Sequence, residues 1–99
     1  MFIVTLTYLK PNEEIDQLLA AHRAFLREQY DNGLFVMSGR LVPRTGGIII
    51  AHADSRADVE AVIELDPFKQ AGAASYAITE FVPTMAADGL ETYLPAQQG

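Results

Sequence analysis

The segment FIVTLTYL, residues 2–9, gives the clearest secondary-structure pattern in the chain. Most of its residues are β-branched or aromatic, and Thr5 and Thr7 alternate with the apolar Val4 and Leu6. This alternation predicts a β-strand that turns one face toward the core. Because the segment is so rich in apolar residues, we expect it to lie in the centre of a sheet.

A long helix is predicted to follow, from about Glu13 to Asp31. Asn12 suits the N-cap position, and the carboxylates just after it are favoured at the positive end of the helix dipole. The pair Asn32-Gly33 is a helix-ending signal, since glycine readily takes the left-handed conformation. Apolar residues recur along this segment at helical spacing, and these are Ile15, Leu18, Leu19, Phe25 and Leu26.

His22 falls on the same apolar stripe, seven residues after Ile15. An ionisable ring on a buried face costs free energy unless another group hydrogen-bonds it. The candidate partner is Asp66, which directly precedes Pro67 and Phe68. Spacing alone leaves two interpretations open. His22 is either a core histidine held by a backbone carbonyl or half of an acid-base pair, and Asp66 before a proline is also a common turn residue.

Two further strands are predicted after the first helix, over residues 34–42 and 47–53. Thr45, Gly46 and Gly47 supply turn residues between them, so the strands are expected to pair antiparallel.

A second helix and a last strand complete the pattern. The segment SRAD at residues 55–58 resembles a capping box, with Asp in place of Glu. Pro67 disfavours helical geometry at Asp66 and marks a boundary there. We expect a short irregular stretch over 68–72 and a strand over about 74–82.

The order β-α-β-β-α-β predicts an α+β fold, a ferredoxin-like sandwich whose antiparallel sheet carries both helices on one face. The other face also bears apolar side chains, and no third helix is predicted to cover it. Self-association through that face would bury them, so we expect a homodimer. The chain is expected to be one domain, residues 1–99, with its core over about 1–83. The apolar residues of the tail, 84–99, suit packing against the partner subunit.

Composition excludes several classes of function. Seven Lys and Arg residues stand against 13 Asp and Glu, which gives a formal net charge of -6, and the basic residues are scattered. Nucleic acid is therefore not an expected partner. No apolar run approaches the roughly 20 residues of a membrane helix. The N-terminus also lacks the pattern of a signal peptide, so we expect no membrane association and a cytoplasmic location.

The chain also lacks the residues of several kinds of reactive centre. Without cysteine it has no zinc-thiolate site, iron-sulfur cluster or thiol nucleophile. His52 has no ligand-like spacing to His22, so we expect no metal site and assign His52 to the surface or a sheet edge. Phosphate-binding and dinucleotide-binding loops are missing, and Gly46-Gly47 is better explained as a turn, so no cofactor is expected.

An ordered set of residues resembles the YciI-like, or YCII-related, family over about 1–83. The set consists of an inward His22 on a long first helix, Ser38-Gly39 late in the second strand, and DPF at 66–68. The resemblance implies small ferredoxin-like proteins that pair as dimeric α+β barrels, with a histidine-aspartate dyad in a pocket. Related barrels include muconolactone-type isomerases, and some YciI-like proteins are linked to dehydrochlorination.

Carried onto this chain, the resemblance implies that Asp66 orients the ring and that His22 exchanges a proton. The first functional hypothesis is a cofactor-independent lyase or isomerase that moves a proton on a small anionic organic substrate. The alternative is a non-catalytic metabolite-binding or protein-interaction module. Fold alone does not decide between them.

Further residues are candidates for contact with a substrate, and these are Tyr8, Ser38, Gly39, Arg40 and Phe68. Gly39 would allow a backbone or a ligand to approach closely. Arg40 stands where the family often has proline, and at the rim of a pocket either Arg40 or Arg44 could bind a carboxylate. The alternative, a solvated arginine at a strand end, is favoured more for Arg44 than for Arg40. Phe68 is most typical of a core position, although beside the dyad it could form an apolar pocket wall. Tyr8 could reach a pocket as a donor or acid, and its bulk fits a core position equally well.

Overall fold

A computed structural model of the chain describes residues 1–95. The elements in chain order are β1 Phe2–Tyr8, α1 Asn12–Asp31, β2 Phe35–Arg40, β3 Gly46–Ala51, α2 Arg56–Ile63, α3 Pro67–Gln70, β4 Ala74–Glu80 and a 3₁₀ turn at Glu91–Tyr93. The strands form one antiparallel sheet in the order β2-β3-β1-β4. The predicted ferredoxin-like α+β fold is confirmed, with α3 as an additional single turn of helix.

Strand β1 is central, because it pairs with β3 on one side and β4 on the other. Phe2, Val4 and Leu6 point into the core and are at most 2% exposed. The alternation in the sequence thus gives one fully buried face, on which the helices pack.

Helix α1 begins one residue earlier than predicted. Pro11, not Asn12, occupies the N-cap position, and no side chain caps this end. The Pro11 carbonyl accepts hydrogen bonds from the backbone of Glu14 and Ile15, which starts the helix at Asn12. The far end is as predicted, with Gly33 at a φ of 79° just beyond the helix.

The segment around Asp66 differs from the prediction. Helix α2 ends at Ile63, and the stretch expected to be irregular begins with the short helix α3. Asp66 is the N-cap of α3, and its Oδ1 accepts a hydrogen bond from the Phe68 amide at 3.0 Å. Pro67 then occupies the first helical position, where its missing N–H is not needed. The Asp66-Pro67 pair therefore marks the start of helix α3 as well as the end of the preceding helical segment.

Gly46 and Gly47 belong to strand β3 and not to the predicted turn. A Cβ atom on Gly46 would lie 1.8 Å from the Leu6 carbonyl oxygen. Close approach to the backbone therefore requires glycine at Gly46. Gly39, where such an approach was expected, has no protein atom within 4 Å of its Cβ position.

The second face of the sheet is not covered by a helix within residues 1–95. Ile3 and Ile50 pair across this face and are half-buried, and Met37, which pairs with Ile50, is 59% exposed. Beyond β4, Val82 and Met85 are also exposed. No helix in this range has the length and apolar character needed to cross a bilayer.

Candidate active site

His22 and Asp66 meet in the core. His22 lies on the buried face of α1, and its Nδ1 is 2.8 Å from Oδ1 of Asp66. Asp66 is fully buried and His22 is 8% exposed. The partner of the histidine is thus a carboxylate, and the alternative in which a backbone carbonyl holds it is wrong.

Asp66 has a complete set of hydrogen bonds. Besides His22, the Phe68 amide donates to Oδ1, and the Tyr76 hydroxyl donates to Oδ2 at 2.6 Å. Such donors are what allow a carboxylate to lie inside a protein without water. Because a carboxylate only accepts hydrogen bonds, the neutral His22 ring must carry its proton on Nδ1.

The second ring nitrogen, Nε2, is left for other chemistry. Within residues 1–95 no buried side-chain nitrogen or oxygen lacks a partner, and Nε2 makes no hydrogen bond there. Nε2 must therefore be open to solvent. Phe68 stacks on the His22 ring, with the ring centroids 3.9 Å apart and the ring planes 10° from parallel. The ring is fixed by stacking and by the Asp66 hydrogen bond together.

A cleft of about 520 Å³ lies between α1 and the sheet. Six predicted site residues line it, namely Tyr8, His22, Ser38, Gly39, Arg40 and Phe68. Asp66 does not line the cleft, since it lies behind the imidazole. The fold thus brings residues from β1, α1, β2 and α3 together around one concave site, which is the usual form of a small-molecule pocket.

The polar groups of the cleft differ in how far they are already engaged. The Ser38 hydroxyl is hydrogen-bonded to the Tyr30 hydroxyl. Arg44 donates to Asp16 Oδ1 at 2.6 Å and lies over the ring of Tyr8. Hydrogen bonding to Asp16 raises the pKa of Arg44 above its ordinary value. Arg44 therefore lines the cleft as a partly exposed residue that is already paired with Asp16.

Three residues around the site were missed from the sequence: Arg23, Tyr30 and Tyr76. Arg23 follows Leu19 by four positions, so helical spacing places it beside that residue on the cleft wall. Tyr76 alternates with Ala74 and Ile78 on the buried face of β4, where a tyrosine hydroxyl usually finds a polar partner. The helical spacing of Arg23 and the strand alternation of Tyr76 were both present in the sequence.

Neither histidine belongs to a metal site in the described part of the chain, where no group of three or more candidate ligands occurs. His52 is exposed after β3, and the Tyr93 ring contacts it edge-on at 5.1 Å.

Burial raises the pKa of the Tyr76 hydroxyl well above its ordinary value near 10, and the hydrogen bond to Asp66 is the second cause of this rise. The folded chain thus holds this proton more tightly than the unfolded chain. Below about pH 10 both states keep it, so the contribution to stability is complete; above that pH the unfolded state gains by releasing the proton. The free energy of unfolding should therefore fall with rising pH in this alkaline range.

Urea unfolding across this range checks the effect. Tyr76→Phe should lose less stability than wild type as the pH rises, whereas Tyr93→Phe should follow wild type. Equal slopes for wild type and Tyr76→Phe would contradict the assigned hydrogen bond.

A family model described as the YCII-related domain matches residues 1–82. Among solved structures, the chain is similar to 5-chloro-2-hydroxyhydroquinone dehydrochlorinase from Burkholderia phenoliruptrix AC1100, in complex with 2,5-dihydroxybenzoquinone. The match has a TM-score of 0.64 at 23% sequence identity and covers 82% of this chain and 93% of that one. No curated protein matches the chain significantly.

Proposed function

This chain belongs to the YCII-related domain family, and we propose that it is a cofactor-independent lyase or isomerase acting on a small anionic organic substrate. His22 is the general base, and Asp66 is the residue that positions it. The observation that carries the proposal is a buried His–Asp pair whose imidazole lines a cleft and whose Nε2 makes no hydrogen bond with any of residues 1–95.

The proposed chemistry begins with proton transfer to His22. Nε2 takes a proton from a carbon next to a carbonyl, or from a hydroxyl, and the electron pair stays on the substrate. The ring becomes an imidazolium, which the Asp66 carboxylate stabilises through the Nδ1 hydrogen bond. In an isomerase, His22 returns the proton at another carbon. In a lyase, the electron pair forms a double bond and expels a leaving group from the neighbouring carbon, and His22 then passes its proton to that group or to solvent.

The walls of the cleft fit a small organic molecule. Leu6 and Ile49 from the sheet and Leu26 from α1 give it an apolar lining, while Arg40 places a guanidinium at its side. Phe68 has two roles in this proposal, since it packs in the core and forms the wall next to His22. The dehydrochlorinase of similar fold supports a small-molecule function of this class, because it was solved with a small ligand.

Enzyme-dependent exchange of hydrogen for deuterium tests the proposal directly. A panel of small carboxylated ketones, lactones and phenols is incubated with the protein in deuterium oxide and followed by proton NMR. We expect at least one compound to exchange at a carbon next to its carbonyl faster with protein than without. Compounds that raise the melting temperature without any exchange would instead identify a metabolite-binding module.

The proposed assembly is a homodimer formed through the open face of the sheet. Ile3, Met37 and Ile50 lie on this face, and burial of such side chains stabilises association. Light scattering at micromolar concentration should give twice the mass of one chain. Met37→Lys should shift the mass toward the monomer, and a monomeric wild type would contradict the proposal.

A further inference from the structure

The cleft concentrates positive charge in a chain that is acidic overall. Three of the seven Lys and Arg residues line it, namely Arg23, Arg40 and Arg44. Among the described residues, Asp16 is the one acidic lining residue, although the chain has 13 Asp and Glu in total. A cleft lined mainly by one sign of charge attracts ligands of the opposite sign.

The three arginines are not equivalent. Arg44 is already paired with Asp16 at 2.6 Å, so its charge is largely matched within the protein. Arg23 and Arg40 make no ion pair or side-chain hydrogen bond with any of residues 1–95. Arg23 comes from α1 and Arg40 from the end of β2, so the two unmatched guanidinium groups belong to different walls of one cleft.

We propose that Arg23 and Arg40 together bind a carboxylate of the substrate, which makes the substrate class a small carboxylic acid with an apolar body. The inference rests on the proposed function and extends it. A guanidinium presents paired N–H donors in a plane, which match the two oxygens of a carboxylate. The carboxylate binds at the arginines, the apolar body lies against Leu19 and Leu26, and the reacting proton faces His22.

The positions of the charged groups are consistent with His22 acting as a base. A substrate anion held by the arginines stays away from the buried Asp66, so the two carboxylates do not compete for the imidazole. Arg23 and Arg40 together select acids over neutral compounds of the same shape.

Binding of three matched probes tests the site without requiring the natural substrate. The probes are benzoate, the neutral benzamide and phenyl phosphate, each titrated into labelled protein and followed by amide NMR shifts. We expect benzoate to bind with about 10-fold higher affinity than benzamide, since charged hydrogen bonds are lost with the amide. Benzamide binding as tightly as benzoate, benzoate failing to bind at its solubility limit, or phenyl phosphate binding more tightly would each overturn the carboxylate assignment.

Three glutamine variants locate the binding groups. Arg23→Gln and Arg40→Gln should each weaken benzoate binding about 10-fold and leave benzamide binding unchanged. Arg27→Gln is the matched control, because Arg27 lies on the same helix, is exposed and does not line the cleft. If both cleft variants bind benzoate as Arg27→Gln does, the proposal fails.

The failure of this inference and that of the proposed function are separable. His22→Asn should still bind benzoate, since the arginines are intact. Exchange retained in that variant would refute His22 as the base, while retained benzoate binding would leave the carboxylate site standing. Conversely, exchange that depends on His22 but responds equally to acids and neutral compounds removes the arginine site alone.

Discussion

Asp66→Ala is expected to lower the free energy of unfolding by about 3–5 kcal/mol, because each buried donor left without its acceptor costs roughly 1–3 kcal/mol. Three donors lose their acceptor at once, namely the His22 ring, the Phe68 amide and the Tyr76 hydroxyl. The N-cap of α3 is lost with them. Urea unfolding followed by circular dichroism measures the effect.

Asp16→Ala is the matched control for this substitution. It also removes a carboxylate that accepts a hydrogen bond from a basic side chain, but the Asp16 side chain is 56% exposed. Exposed pairs contribute about 0–1 kcal/mol, so the control should unfold close to wild type. Similar losses for both variants would show that the buried network around Asp66 does not have the stabilising role assigned to it.

His22→Asn is expected to lower the rate of substrate exchange or turnover by about 10²–10⁴, the usual contribution of a positioned general base. An asparagine amide can replace the Nδ1 donor to Asp66, while it has no basic nitrogen in place of Nε2. The fold should therefore persist as proton transfer is lost. The comparison uses the compound that exchanges fastest with wild type.

His52→Asn is the control, since it changes the other histidine of the chain, which is exposed and outside the cleft. Asp66→Asn should also slow exchange, because it keeps an acceptor for the ring but removes the charge that stabilises the imidazolium. Exchange retained in His22→Asn would exclude His22 as the base and leave the cleft as a binding site.

Local sequence patterns correctly predicted the main helices and strands of this fold and their order. The alternation in β1 and the helical spacing in α1 each place a specific side of a segment in the core, and the order of elements then specifies the sheet. The misplaced details depend on contacts between distant segments. Gly46 is glycine because the Leu6 carbonyl lies against it, and nothing in the residues next to Gly46 indicates that neighbour.

In the candidate site, too, local patterns indicated some residues, whereas others depend on contacts between distant segments. His22 was identifiable because a polar ring interrupts an apolar stripe, and DPF pointed to its partner. Tyr76 was not connected to Asp66, because their hydrogen bond depends on how α3 packs against β4. Arg23 was passed over because an arginine on a helix is ordinarily solvated, and its significance comes from the cleft beside it and from the pairing of Arg44 elsewhere.

In the proposed mechanism, Asp66 holds the proton of His22 on Nδ1 and so presents a basic Nε2 to the cleft. Nitrogen NMR of protein labelled only at its two histidines measures this directly. For the neutral ring of His22 we predict a protonated, pyrrole-type Nδ1 and an unprotonated, pyridine-type Nε2 whose signal moves when benzoate is added. A His22 ring protonated on Nε2, or one averaging between the two forms, would contradict the account.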